Sequence, residues 1–137
     1  MCEAARMSRL SKSRYTSGLQ CHRQLWWKTH EPDAPELKPD AARQALFDQG
    51  HRVGALAREH VPGGVLIDHP HYEYAAKLAD TERALESGAR AIYEASFSRG
   101  NVFAAVDILE SEGKTWRLIE VTSSTSVATV YVPAAAF

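Results

Sequence analysis

Two carboxylates stand where carboxylates are costly. Val106-Asp107-Ile108-Leu109 sets Asp107 inside an apolar run, and Leu118-Ile119-Glu120-Val121 sets Glu120 inside the next one. An acid in a strand centre must be exposed, paired or bound to a cation, because desolvating an unpartnered charge is expensive. Ser111-Glu112-Gly113-Lys114 between the two runs reads as the connection of a hairpin. A turn that pairs Glu110 with Thr115 puts Asp107 opposite Leu118 and makes Glu120 its diagonal neighbour on the same face. Acids so placed suit one hard divalent cation, Mg²⁺ or Mn²⁺, which takes carboxylate oxygens and water. Spacing alone favours a simpler arrangement, a wet hairpin face with both acids solvated beside Thr122, so the surrounding sequence has to decide.

The elements that must position these acids follow from periodicity. Ser11 to Thr29 reads as one or two short helices with Ser11 or Ser13 as cap, Gly18 as interruption and Leu25, Trp26 and Trp27 as apolar anchors. Glu31 to Pro39, with three prolines, is a loop. Asp40 is expected to cap the strongest helical pattern, in which Ala42, Ala45, Leu46, Val53, Leu56 and Ala57 recur to about His60 and demand a partner surface. Pro62-Gly63-Gly64 ends it and leads into a short strand, Val65 to Ile67. A second helix is expected from about Tyr72 to Leu85, with Asp80 capping its second half. From Arg90 the period changes from 3.6 to 2, giving strands at Ala91 to Phe97, Val102 to Leu109 and Thr115 to Val121. Helices first and a β-meander afterwards make an α+β order.

Composition bounds the function. A chain of 137 residues, 45% hydrophobic and 24% charged, supports one modest core and has no apolar run of the roughly 18 residues that a membrane span needs. Two cysteines, Cys2 and Cys21, make no disulfide framework, and no apolar signal segment follows Met1, which favours a cytoplasmic, reducing setting. The net charge of -1 conceals an asymmetry: residues 1–30 hold six Lys/Arg against one acid, and no charged side chain follows Glu120. A basic start of this kind suits phosphate contacts from Lys12, Arg14 and Arg23, with Tyr15, Trp26 or Trp27 as stacking surfaces.

Asp107, twelve intervening residues and then Glu120-Val121-Thr122 resembles the PD-(D/E)XK nuclease core, an Asp ending one strand with Glu-x-Lys on the next. Four further pieces resemble, in the same order, an uncharacterised bacterial family of RecB-like nucleases related to the iron–sulfur exonucleases of CRISPR adaptation. They are Leu10-Ser11-Lys12-Ser13-Arg14-Tyr15 with Gly18-Leu19-Gln20-Cys21, the helix around Gly50-His51-Arg52-Val53-Gly54, Ile92-Tyr93-Glu94-Ala95, and Glu120-Val121-Thr122-Ser123-Ser124-Thr125-Ser126. The resemblance spans about residues 8–127 and implies a restriction-endonuclease-like core that hydrolyses DNA, with RNA as an alternative, using Mg²⁺ or Mn²⁺. Asp107 and Glu120 would be the metal ligands, and Glu94 matches a recurring acid of the family.

Departures from that pattern carry equal information. Thr122 occupies the lysine position and supplies no positive charge, while Lys114 lies at the far end of the hairpin and Arg117 faces the other way by alternation. Gly54 occupies the position of the family's helix histidine, leaving His51 about a quarter-turn away as an accessory candidate. Cys21 matches the first cluster ligand of the iron–sulfur relatives, but the other three are missing, so no iron–sulfur cluster is expected and Cys21 is read as a small buried residue beside Leu25 and Trp26. His69 and His71 flank Pro70 and read as loop. The expected organisation is a basic helical segment at 1–39, a partial nuclease core at 40–127 and an atypical uncharged tail at 128–137. The family's next helix is replaced by that tail, which suggests truncation, weak or absent activity, and an exposed sheet edge prone to self-association. A noncatalytic nucleic-acid-binding or protein-interaction remnant is the competing expectation.

Overall fold

The computed structural model describes residues 9–122 and, as backbone, 129–133; Cys2, the Ser123–Ser126 part of the family pattern and the end of the tail lie outside the described residues. The elements run β1 (Leu10–Ser11), α1 (Lys12–Gln20), α2 (His22–His30), a 3₁₀ turn (Pro35–Leu37), α3 (Ala41–His60), β2 (Val65–Leu66), α4 (Tyr74–Glu86), β3 (Ala91–Arg99), β4 (Val102–Glu112), β5 (Thr115–Ile119) and β6 (Thr129–Pro133). This is a mixed α+β chain. It divides into two units, Met1–Asp40 with Ser98–Ala104, and Ala41–Phe97 with Ala105–Phe137. Among the described residues no helix is long and apolar enough to cross a membrane.

In the first unit Ser11 Oγ accepts the Arg14 N–H at 3.3 Å and so caps α1. The helical run breaks at Cys21, not at Gly18 as expected, because Cys21 has extended backbone and ends α1 while opening α2. Gly18 serves a packing purpose instead: a Cβ there would stand 3.0 Å from Leu25 Cδ2. Buried Ser17 donates to the Ser13 carbonyl at 2.7 Å and accepts from Lys28 Nζ at 2.7 Å, tying the two helices together. β1 pairs in parallel with the start of β4, Leu10 with Val102 and Ser11 with Phe103, a strand that the sequence pattern did not suggest.

The second unit holds a sheet in the order β2-β3-β4-β5-β6. β2 is parallel to β3, and β5 is antiparallel to both β4 and β6. Two hairpin turns are two residues long, Gly100-Asn101 in the first unit and Gly113-Lys114 in the second, each with a glycine at positive φ in the first central position, where a type II′ turn requires one. The second turn corrects the expected register. Glu112, not Glu110, faces Thr115, so the pairs run Glu110 with Arg117, Leu109 with Leu118 and Ile108 with Ile119. β5 also ends at Ile119, two residues short of the expected Val121. Helix α4 is continuous across Asp80, which caps nothing and instead bonds His69 Nε2 at 2.7 Å and pairs with Arg83.

Two apolar clusters make the core. One gathers Ile67, Ala84, Ile92, Ala95, Val106 and Leu109, with Leu85 of α4 against it; the other gathers Val61, Ala91, Tyr93 and Ile108, with Ala57 of α3 against it. Elsewhere on the α3 stripe Val53 is half-buried, while Leu46 and Leu56 are 63% and 56% exposed. At the α3–β2 connection the Tyr93 hydroxyl donates to the Val61 carbonyl and accepts the Gly64 N–H at 3.0 Å. A Cβ at Gly64 would stand 2.5 Å from Tyr93 Cζ. Gly64→Ala is therefore expected to cost about 1–3 kcal/mol through overpacking, measured by urea denaturation; a cost near zero would mean that the ring can withdraw without losing either hydrogen bond.

Candidate active site

Strict alternation would send Ile92, Glu94 and Ser96 to one side of β3 and Val106, Ile108 and Glu110 to one side of β4. The clusters show otherwise. Ile92 shares a cluster with Ala95, and Val106 shares one with Leu109, so the alternation slips at Glu94 on one strand and at Asp107 on the next. Glu94 has φ of 60°, making it the non-glycine residue in the left-handed region among those described. Such a conformation costs on the order of 1 kcal/mol in a strand and persists where the surroundings impose it; a slip of this kind re-aims side chains. Both acids are thereby delivered to one cavity.

That cavity, about 240 Å³, lies within the second unit and is lined by Glu94, Asp107, Ile108 and Val121 from the sheet and by Gly50, His51, Gly54 and Arg58 from α3. At about 100° per residue, positions 50, 51, 54 and 58 fall within an arc of about 100°, so one face of α3 forms the opposing wall. The two glycines leave that wall open, since nothing stands within 4 Å of where their Cβ atoms would be.

Asp107 Oδ2 accepts the Val121 N–H at 2.6 Å. The carboxylate thus replaces a ladder bond just beyond the Ile108–Ile119 pair, fixing the chain segment that carries Glu120. In the corrected register Glu120 counts as directly across from Asp107, not diagonal to it, although it has left the strand and is exposed. Thr122 is exposed two residues further on. Burial pushes the Glu94 carboxyl above the usual range, the Asp107 charge pushes it further, Lys77 and Arg58 oppose, and Glu120 adds a smaller upward push.

The direction of that shift has a stability consequence. A carboxyl harder to ionise in the folded chain than in the unfolded one weakens the fold as pH rises from the ordinary glutamate range through the raised value. Glu94→Gln is expected to melt higher than the parent at pH 7, with the gap closing near pH 4, where both states hold a protonated Glu94. Thermal melts at pH 4, 5.5 and 7 measure it, and a gap that fails to change with pH would exclude ionisation as its cause.

The other candidates fall elsewhere. Arg117 pairs with Glu110 and lies 3.4 Å from Glu112, which explains why it supplies no charge to this cavity. Cys21 is exposed, contrary to the expected burial, because the break between α1 and α2 places it at the joint. Arg14 donates to the carbonyls of Arg9 at 2.8 Å and Lys28 at 3.4 Å, a structural role, whereas Lys12 is exposed and Arg23 lies 4.7 Å over the Trp27 ring. A groove of about 360 Å³ in the first unit adds Arg9, His22 and His30 to Arg14, Leu25 and Trp26, and the Trp26 and His30 rings are 5.2 Å apart. Among the described residues no three His, Cys, Asp or Glu side chains are grouped closely enough to hold a metal ion by themselves.

Sequence reasoning missed Arg58 and Lys77 as charges acting on the acids. The signal for Arg58 was present in its spacing from Gly54 and Gly50, four and eight residues back on one helical face. Comparison of the chain with protein-family models, curated proteins and solved structures returns no match.

Proposed function

We propose that this chain is a RecB-like PD-(D/E)XK nuclease domain with a restriction-endonuclease-like core, acting in the cytoplasm on DNA, with RNA as the alternative substrate, and hydrolysing phosphodiester bonds slowly. One observation carries the reading: a cavity whose sheet wall presents Glu94 and Asp107 and whose helix wall presents His51 and Arg58. The donor chemistry fits a hard cation. Mg²⁺ needs only one or two carboxylates, with water and substrate oxygens completing its shell, and the repulsion that Asp107 and, more weakly, Glu120 exert on Glu94 is what such a charge would relieve. Asp107 and Glu120 would hold the ion, with Glu94 and His51 as accessory donors.

When bound, Mg²⁺ or Mn²⁺ would lower the pKa of a water and offset charge on the phosphate. The chain's own part is positional. The Val121 N–H holds one Asp107 oxygen and leaves the other available. His51, which lines the cavity from α3, would be an accessory donor to the ion. Thr122 offers a hydroxyl for a water but no charge, so turnover is expected to be low. Cleavage of single-stranded DNA, duplex DNA and RNA, with Mn²⁺ binding followed in parallel by calorimetry, tests the reading. Slow cleavage abolished by EDTA is expected, and a chain that neither cleaves nor binds Mn²⁺ would retire it.

A second reading, nucleic-acid binding without hydrolysis, is supported by the groove of the first unit, where basic side chains surround an aromatic pair. Binding with no cleavage, unaltered by Asp107→Asn, would favour it. Self-association belongs to either reading, because β2 is a short edge strand with Val65 and Leu66 44% and 45% exposed.

A further inference from the structure

The cavity has a cationic side as well as an acidic one, and the Arg58 charge favours ionised Glu94 without displacing burial as the main influence on it. Arg58 is half-buried on the last turn of α3, and among the described residues no carboxylate lies within ion-pair distance of its guanidinium, although Glu94 and Asp107 line the same cavity. Two other arginines have close carboxylate partners, Arg83 with Asp80 and Arg117 with Glu110. A guanidinium carries five donors in a planar fork that matches two oxygens of a phosphate, and half-burial removes part of the water that would otherwise satisfy them. Its charge also sits where the carboxylates alone would repel a polyanion.

We propose that Arg58 is the phosphate-binding residue of this cavity, taking non-bridging oxygens of a nucleic-acid phosphate from the helix side while the carboxylates face it from the sheet side. The proposal rests on reading the cavity as a phosphodiester site. The gap at Gly50 and Gly54 leaves room for a backbone phosphate beside α3, so the fork and the gap serve the same ligand.

The test measures binding of a fluorescently labelled single-stranded DNA oligonucleotide to the full chain, with Ca²⁺ present to offset the carboxylates, across a series of salt concentrations. Arg58→Met keeps much of the aliphatic stem. It is expected to weaken binding at least tenfold and to reduce the slope of log K against log salt by about 0.7, the value for one phosphate contact on a single strand. Arg52→Met, an exposed residue of the same helix, should change affinity less than twofold. Arg58→Lys should keep the slope while losing part of the affinity, because an ammonium cannot form the fork; it serves alone should the methionine variant fail to fold by circular dichroism.

Equal losses from Arg52→Met and Arg58→Met, an unchanged slope in Arg58→Met, or no binding by the parent chain would overturn the proposal. The underlying reading fails separately. Loss of binding in Arg58→Met together with no Mn²⁺-dependent cleavage by the parent would leave a phosphate site without a nuclease. Parental cleavage that Asp107→Asn abolishes and Arg58→Met leaves untouched, with unchanged binding, would leave a nuclease without this clamp.

Discussion

Asp107→Asn is expected to reduce metal-dependent cleavage at least a hundredfold and to weaken Mn²⁺ binding, while leaving the melting temperature close to that of the parent. The two halves of this result follow from the two oxygens of one side chain. One accepts the Val121 N–H at 2.6 Å, and an asparagine oxygen does the same. The other faces the cavity, where an uncharged amide is a poor ligand for a hard cation and the lost electrostatic stabilisation is worth several kcal/mol. Asp107→Ala separates the roles: it should lose activity equally and, in addition, about 1–2 kcal/mol of stability, because the Val121 N–H is left without its partner. Cleavage assays with Mn²⁺ and urea melts of both variants make the measurement. Activity that survives Asp107→Asn would remove Asp107 from the metal site.

Leu109→Ala is the substitution expected to cost most in stability. Leu109 is fully buried, faces Leu118 across the β4–β5 hairpin and packs in the cluster that joins α4 to the sheet. Deleting its side chain should cost about 2–5 kcal/mol, from lost burial and the cavity left behind, against a total stability on the order of 5–15 kcal/mol. Leu46→Ala provides the contrast. At 63% exposure it should change stability by no more than about 0.5 kcal/mol. Denaturant midpoints for the two variants measure the difference, and a comparable loss from Leu46→Ala would show that the α3 stripe is covered in solution, most simply by a second copy of the chain.

Legibility differed sharply between features of the same hairpin. Asp107 and Glu120 stood out because an acid among Val, Ile and Leu violates burial rules, and that violation is visible without coordinates. Their register was not. A four-residue connection and a two-residue turn at Gly113-Lys114 are both compatible with the sequence, and the choice shifts every cross-strand neighbour by two; the observed pairing of Glu110 with Arg117 decides it. Cys21 was misjudged for a related reason. Small and apolar in isolation, it lies at the joint between two helices, and exposure there is a property of the joint.

Local chemistry by itself determined the main helices and the strands of the meander, the Ser11 cap, the turn glycine Gly113, the two conspicuous acids and the missing lysine, because each depends on residues a few positions apart; β1, β6 and the helix break at Cys21 did not show in it. Glu94 facing Asp107's cavity, and the wall of α3 carrying His51 and Arg58, were decided only by tertiary structure. A left-handed residue in mid-strand is disfavoured by every local preference, and it persists here where two neighbouring strands slip together while the apolar residues around them stay buried. The cavity's cationic side is likewise a product of packing, since Arg58, far from Asp107 in the chain, meets it only when the helix packs on the sheet.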